Sequence, residues 1–126
     1  MRETIGREVR GERYRYAVAT ACNSRFADVV IDVEPLAPGS RTELADARED
    51  RSCPVRYVAA FADGVAEALA SGPVAGHPVT DVRVLLRSAR HHEVDSSERG
   101  FRLAGAAVVA QAIAKAAPVV ADRPGV

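Results

Sequence analysis

The stretch ADVVIDVEPL, residues 27–36, decides how the rest of the chain is read. Ala27, Val29, Ile31 and Val33 fall on one side of an extended backbone, and Asp28, Asp32 and Glu34 on the other. That alternation marks a β-strand with one face in a core and one in water. Pro35, Pro38 and Gly39 end it. Upstream, RYRYAVAT (13–20) repeats the pattern: Tyr14, Tyr16 and Val18 share one face, Arg13 and Arg15 the other. Residues 21–25 between the two runs are then the tip of a hairpin. Residues 40–53 are polar and weakly patterned, which fits either a poor strand or an ordered loop.

From Pro54 the period changes. Val58, Phe61, Ala62, Val65 and Leu69 recur at helical spacing, Pro54 suits a first turn, and Gly72-Pro73 stop the helix. Gly64 costs about 1 kcal/mol inside a helix, so its presence asks for close packing or a functional approach. VTDVRVLLR (79–87) predicts another strand, with Thr80, Val82, Val84 and Leu86 on one face and Asp81, Arg83 and Arg87 on the other. Ser88 to Val94 reads as a polar turn. Asp95-Ser96-Ser97-Glu98 has the form of a capping box, with Asp95 as the cap and Glu98 reaching back. A second helix follows through Phe101, Ala104, Val108 and Ala112 to about Lys115, and Pro118 ends it. The small residues Gly100, Ala104, Gly105, Ala106 and Ala107 predict that this helix lies close against the sheet. The order β-β-(β)-α-β-α predicts one α+β domain over residues 1–126, an antiparallel sheet with two helices on one face.

Composition agrees. The chain has 126 residues, 48% apolar and 27% charged, which suits one soluble globular domain able to bury about two-thirds of its unfolded surface. Aromatics are scarce and there are 24 alanines, so the core must be built from Ala, Val and Leu. No run reaches the ~20 apolar residues of a membrane helix; Leu103–Val120 is interrupted by Gln111 and Lys115. The charged N-terminus is not a secretory segment. Cys22 and Cys53 have neither CxxC nor metal spacing and read as reduced thiols of a cytoplasmic protein. Net charge is zero but uneven: +3 over residues 1–25, −6 over 26–82, +2 over 83–102. Sixteen of the seventeen basic residues are Arg, the better fork for phosphate. Basic ends around an acidic middle could present one basic face to nucleic acid.

Familiar catalytic motifs are missing. The one lysine, Lys115, follows Ala114, so there is no GxxxxGK[ST] loop; GxGxxG after a strand, GxSxG, HExxH and paired CxxC are also absent. The chain is expected to be non-catalytic and to carry no cofactor or metal. His91-His92-Glu93 and Asp95 do not make a metal set, since adjacent histidines on a turn seldom converge on one ion.

Arg2-Glu3-Thr4-Ile5, VVIDVEPL (29–36), HEVDSSE (92–98), the positions Pro54, Tyr57, Ala60 and Gly64, and SGPVAGHPVTDV (71–82) occur in one order across nearly the whole chain. Together they resemble domain IV of bacterial translation elongation factor G and of the related ribosomal protection tetracycline-resistance proteins. The resemblance implies a four-stranded sheet with two helices on one face and a left-handed βαβ crossover, where the general rule favours the right hand. It implies an arm that mimics a tRNA anticodon stem and whose tip enters the decoding site of the small ribosomal subunit. Two loops make that tip. The first, Gly-Gly-Arg-Gly-Gln-Tyr-Gly in the family, reads here Ala21-Cys22-Asn23-Ser24-Arg25-Phe26-Ala27, without its glycines. The second, Tyr-His-Asp-Val-Asp-Ser-Ser-Glu in the family, is kept as HHEVDSSE (91–98). A Gly-Gly-Val-Ile-Pro stretch is replaced by Arg51-Ser52-Cys53-Pro54. Loss of the glycines keeps the first loop from approaching RNA backbone as closely. With no GTPase domain in the chain, the expectation is a stand-alone or excised module, the lost glycines favouring a diverged gene.

The resemblance makes His92 the RNA-contacting histidine, with His91, Arg90, Arg25, Asn23 and Ser24 beside it on the tip loops; the bland reading is exposed loop residues next to a helix cap. Arg25 and Arg90 are candidates for phosphate contacts. Arg13 and Arg15 read as a solvated strand face, Ser96 and Ser97 as capping residues, His77 as structural, and Tyr57 and Phe101 as core anchors. The expected partner is ribosomal RNA of the small subunit, with no membrane or DNA role and the oligomeric state left open. The competing expectation is a diverged module that binds another protein or a small molecule and has lost the ribosome.

Overall fold

The computed structural model describes residues 1–18, 25–92 and 96–121. The hairpin read from alternation is β2 (Val9–Val18) and β3 (Arg25–Pro35), antiparallel, with Tyr14 opposite Val29 and Val18 opposite Arg25. β2 begins at Val9 rather than Arg13. Gly11 at φ 68° and a register shift between Val9 and Glu12 break the alternation there. β5 (Val82–Arg90) flanks β3 on its other side, also antiparallel, and runs on to Arg90 through residues expected to form a turn. A register shift between Val30 and Ile31 leaves Arg87 as the extra residue, which hides the last part of the strand from a period-two reading.

The wholly antiparallel sheet expected above is corrected by β4 (Glu43–Asp46). It lies outside β5 and parallel to it, giving a mixed sheet of order β2-β3-β5-β4. Parallel neighbours need a crossover, and α1 (Val55–Leu69) supplies it between β4 and β5. The second helix, α2, spans Glu98–Lys115. Both helices cover the face that carries Ala27, Val29, Ile31, Val33, Val82, Val84 and Leu86, all 1% exposed or less. The expected α+β class, with two helices on one side of a four-stranded sheet, is the one observed.

Two strands have no counterpart in the periodic reading. β1 (Arg2–Ile5) pairs antiparallel with β6 (Pro118–Ala121), Arg2 opposite Ala121, as a separate two-stranded sheet. Glu3 locks this pair to the domain. Its side chain is fully buried and accepts from the backbone N–H groups of Val74, Ala75 and His77 at 2.8, 3.0 and 2.8 Å. Its own backbone bonds Pro78 and Thr80. Burial alone would push this carboxyl's pKa up; the three N–H donors and nearby His77 outweigh it and hold it below the usual carboxylate value. Gly72 is required beside it, because a Cβ there would sit 2.3 Å from a Glu3 carboxylate oxygen.

The small residues of α2 face α1 as well as the sheet. A Cβ on Gly64 would lie 1.9 Å from the Arg102 carbonyl oxygen, and one on Gly105 2.3 Å from that of Phe61. Each helix thus presses a glycine against the other's backbone. The N-terminus of α2 is capped by Ser97, whose Oγ accepts from Gly100 N at 3.0 Å; Asp95, the expected cap, lies outside the described residues.

Two measurements check these accounts. Gly64→Ala should lower stability by about 1–3 kcal/mol through overpacking, despite about 1 kcal/mol gained in helix propensity. The reading is a lower urea midpoint at unchanged slope; an equal or higher midpoint would show that the helices part freely. For Glu3 the folded carboxyl titrates below its unfolded value. Its stabilisation is therefore present above the unfolded pKa near 4.5 and lost as pH falls through the folded one. Glu3→Gln should destabilise at neutral pH and flatten the acid limb of the stability profile. An acid limb as steep as that of the wild type would refute this role.

Candidate nucleic-acid interface

The sheet brings the strand ends that flank both predicted tip loops to one end. Arg25 opens β3 where it pairs with Val18, and Arg90 closes β5 opposite Asp28. His91 and His92 follow directly. Arg25 and Arg90 are thus strand ends on neighbouring strands. Asn23 and Ser24 lie outside the described residues, as do the Arg25 side chain and Cys22.

Ser96 ties the histidine segment down. Its Oγ donates to the Phe26 carbonyl and accepts from His92 N, each at 2.8 Å, and its N–H donates to the His92 carbonyl at 2.9 Å. The Tyr57 hydroxyl donates to the Ser96 carbonyl at 3.2 Å. Ser96 is therefore a pin between β3 and the loop, and only Ser97 caps. Tyr57 stacks on fully buried Phe101 at 5.0 Å and meets the His91 ring at 6.0 Å. Phe26 meets His92 at 6.3 Å. The Arg15 and Arg56 guanidiniums stand over the rings of Phe26 and Tyr57 at 5.6 and 4.9 Å. A chain of rings thus runs from the core to an exposed loop edged with cations.

Charge is distributed unequally along the open face of the sheet. In its middle every carboxylate of β3 is met. Arg13 grips Asp28 with two bonds of 2.9 and 2.6 Å; Asp32 accepts from Gly11 N and Arg87; Arg83 bridges Glu34 and Glu43 at 2.6 and 2.9 Å. Asp28 is held below the usual carboxylate range by Arg13, and Arg15 and Arg90 add to the effect. At the tip the balance changes. Arg90 is exposed and makes no hydrogen bond or ion pair among the described residues, and neither does exposed Arg15. The charges of Arg90 and Arg15 are felt by Asp28, and that of Arg90 by Asp50, but neither guanidinium is gripped as those of the sheet's middle are.

A shallow pocket of 310 Å³ opens beside these groups, lined by Phe26, Asp50, Ser52, Ala89, Arg90 and His91. No motif or period singles out Asp50 and Ser52, which sit in the weakly patterned 40–53 stretch. A larger groove of 820 Å³ lies between α1 and α2, away from the histidines; Arg102 and Glu67 on its walls pair with each other. Among the described residues no three His, Cys, Asp or Glu side chains gather as metal ligands. No helix there is long and apolar enough to cross a membrane. Cys53 is a free, buried thiol whose pKa burial pushes up, the opposite of an activated nucleophile.

Comparison with known proteins decides the kinship. A family model for elongation factor G, domain IV, matches residues 1–117. The chain belongs to the elongation factor G domain IV family. A crystal structure from Thermus thermophilus superposes on 94% of the chain with a TM-score of 0.78 and 30% identity; the match spans 17% of that protein's length. The domain IV family is a non-catalytic part of a translation factor, which places this chain among translation-related modules.

The pin makes a direct prediction for this domain IV tip. Ser96→Ala removes two side-chain hydrogen bonds at the loop and should cost about 1–2 kcal/mol. It should also speed hydrogen exchange at the His92 amide selectively. Unchanged protection of that amide would show that the loop is held by other contacts.

Proposed function

We propose that this domain IV binds the small ribosomal subunit near its decoding site, contacting ribosomal RNA through a tip formed by Arg25, Arg90, His91 and His92 together with Asn23 and Ser24. One observation supports the reading: the start of β3 and the end of β5, far apart in sequence, lie side by side, and Arg90 and Arg15 there form no hydrogen bond or ion pair among the described residues, while the carboxylates farther along β3 are each gripped by a partner. Phosphate contacts from such side chains supply affinity and register, and the nearby rings suit unstacked bases. On this reading the module works in the cytoplasm, performs no chemistry of its own and serves translation or the protection of ribosomes. A tRNA-like outline is part of the same reading.

Co-sedimentation with purified small subunits tests it. The domain should pellet at about 50 mM salt and be released by about 200 mM, as counter-ion release requires. Arg90→Ala with His92→Ala should reduce low-salt pelleting and shallow the salt dependence by about one phosphate contact per lost cation. Absence of pelleting at low salt would remove the ribosomal reading and favour a diverged interaction module.

A further inference from the structure

We infer that the pocket between the end of the β3–β5 ladder and residues 50–52 receives one unstacked RNA base and prefers guanine; this rests on the RNA-contacting reading above and adds a specificity to it. Phe26 and His91, both half-exposed, line the pocket. His91 is braced by Tyr57, and Tyr57 by fully buried Phe101. A ring fixed from behind offers a stacking surface with little conformational entropy left to lose.

The polar lining supplies the preference. Asp50 is exposed, accepts from Ser52 N at 2.9 Å and forms no ion pair among the described residues. The Ser52 hydrogen bonds, with the Arg90 and Arg48 charges, hold its pKa below the ordinary carboxylate value. It is therefore an acceptor-only group at neutral pH with lone pairs to spare. Among the four RNA bases, guanine alone places two donors side by side on its pairing edge, N1–H and the 2-amino group. Adenine and cytosine set one amino group beside an acceptor nitrogen, and uracil flanks its N–H with carbonyls. A carboxylate satisfies guanine through both donors and meets a repelling lone pair on each of the others. Arg90, on the same rim, makes no hydrogen bond or ion pair among the described residues and is placed to hold the phosphate of the nucleotide while its charge also acts on Asp50. Bases in single-stranded or splayed RNA are the ones whose edges can be read in this way.

Fluorescence anisotropy with uridine heptamers bearing a central G or a central A provides the test, run beside the subunit co-sedimentation. The guanine heptamer should bind about tenfold more tightly than the adenine heptamer. Asp50→Asn, which replaces one acceptor by a donor, should erase that ratio, and His91→Ala should weaken binding of the guanine heptamer. Urea midpoints close to wild type confirm that these exposed substitutions leave the fold intact. Equal binding of the two heptamers by the wild type, or a ratio that survives Asp50→Asn, overturns the guanine pocket. If the wild type still pellets with subunits in that case, the ribosomal reading stands without it. Failure of both assays removes both.

Discussion

The backbone contact between α1 and α2 sets the position of most of what matters at the tip. Gly64 lies against the Arg102 carbonyl and Gly105 against that of Phe61. Pairs 57–101, 61–105 and 64–106 then step in the same direction along both helices. With that spacing fixed, Tyr57 has one place to go: its ring lies flat on Phe101 and its hydroxyl reaches the Ser96 carbonyl. Ser96 in turn fixes His92 to the start of β3. Two glycines in the helix layer thus govern the order of a loop at the end of the sheet. The constraint is steric, so it cannot be softened gradually; a methyl group either fits between the backbones or forces them apart.

Electrostatics then separates the tip from the face behind it. β3 is an acidic strand placed between two arginine-bearing strands, and cross-strand pairing of opposite charges stabilises such an arrangement. The consequence reaches beyond stability. Arginines spent on Asp28, Asp32, Glu34 and Glu43 have little remaining attraction for a polyanion, whereas Arg90 and Arg15 at the far end act on carboxylates only at longer range and keep more of theirs. A chain with zero net charge can therefore still offer a local basic surface. The uneven charge along the sequence raised such a surface as an expectation, but only the register of β2, β3 and β5 decides which arginines are consumed.

That distinction marks the border of what sequence could tell. The alternating strands and α1 were legible because each carries several repeats of its period. β1 and β6 were not, since four residues give no period and the partners are far apart in the chain. The parallel placement of β4 depends on tertiary crossover geometry, and its pattern, with only Ala45 partly buried, carries no trace of it. Glu3 looked like part of a charged terminus; only the 72–77 turn folding around it makes a buried carboxylate tolerable. The site divides in the same way. His91, His92 and Arg90 entered as candidates through resemblance, and they lie at the end of β5 beside the start of β3. Asp50 and Ser52, which line the pocket of the proposed reading, stand out only through a neighbour across space, Arg90, and through nothing in their own segment.

On the proposed reading, the absence of glycines from residues 21–24 changes how the tip can meet RNA. Glycines let a loop bring bare backbone against RNA, and Ala21, Cys22, Asn23 and Ser24 stand where such residues occur in the family pattern. On the proposed reading, backbone proximity is replaced by side-chain recognition. The described part of the tip is well supplied for that exchange, with Phe26 and His91 as ring surfaces, Arg90 and Arg15 as cations and Asp50 as an acceptor. Side chains reach several ångströms beyond the backbone, so a bulkier loop need not lose contact with RNA. It must instead meet bases that are already unstacked, because rings and carboxylates read exposed base edges and cannot follow a regular A-form groove. A tip of this composition is therefore suited to a distorted or single-stranded feature of RNA, which is a narrower target than a phosphate backbone and one that depends on the shape the RNA has adopted.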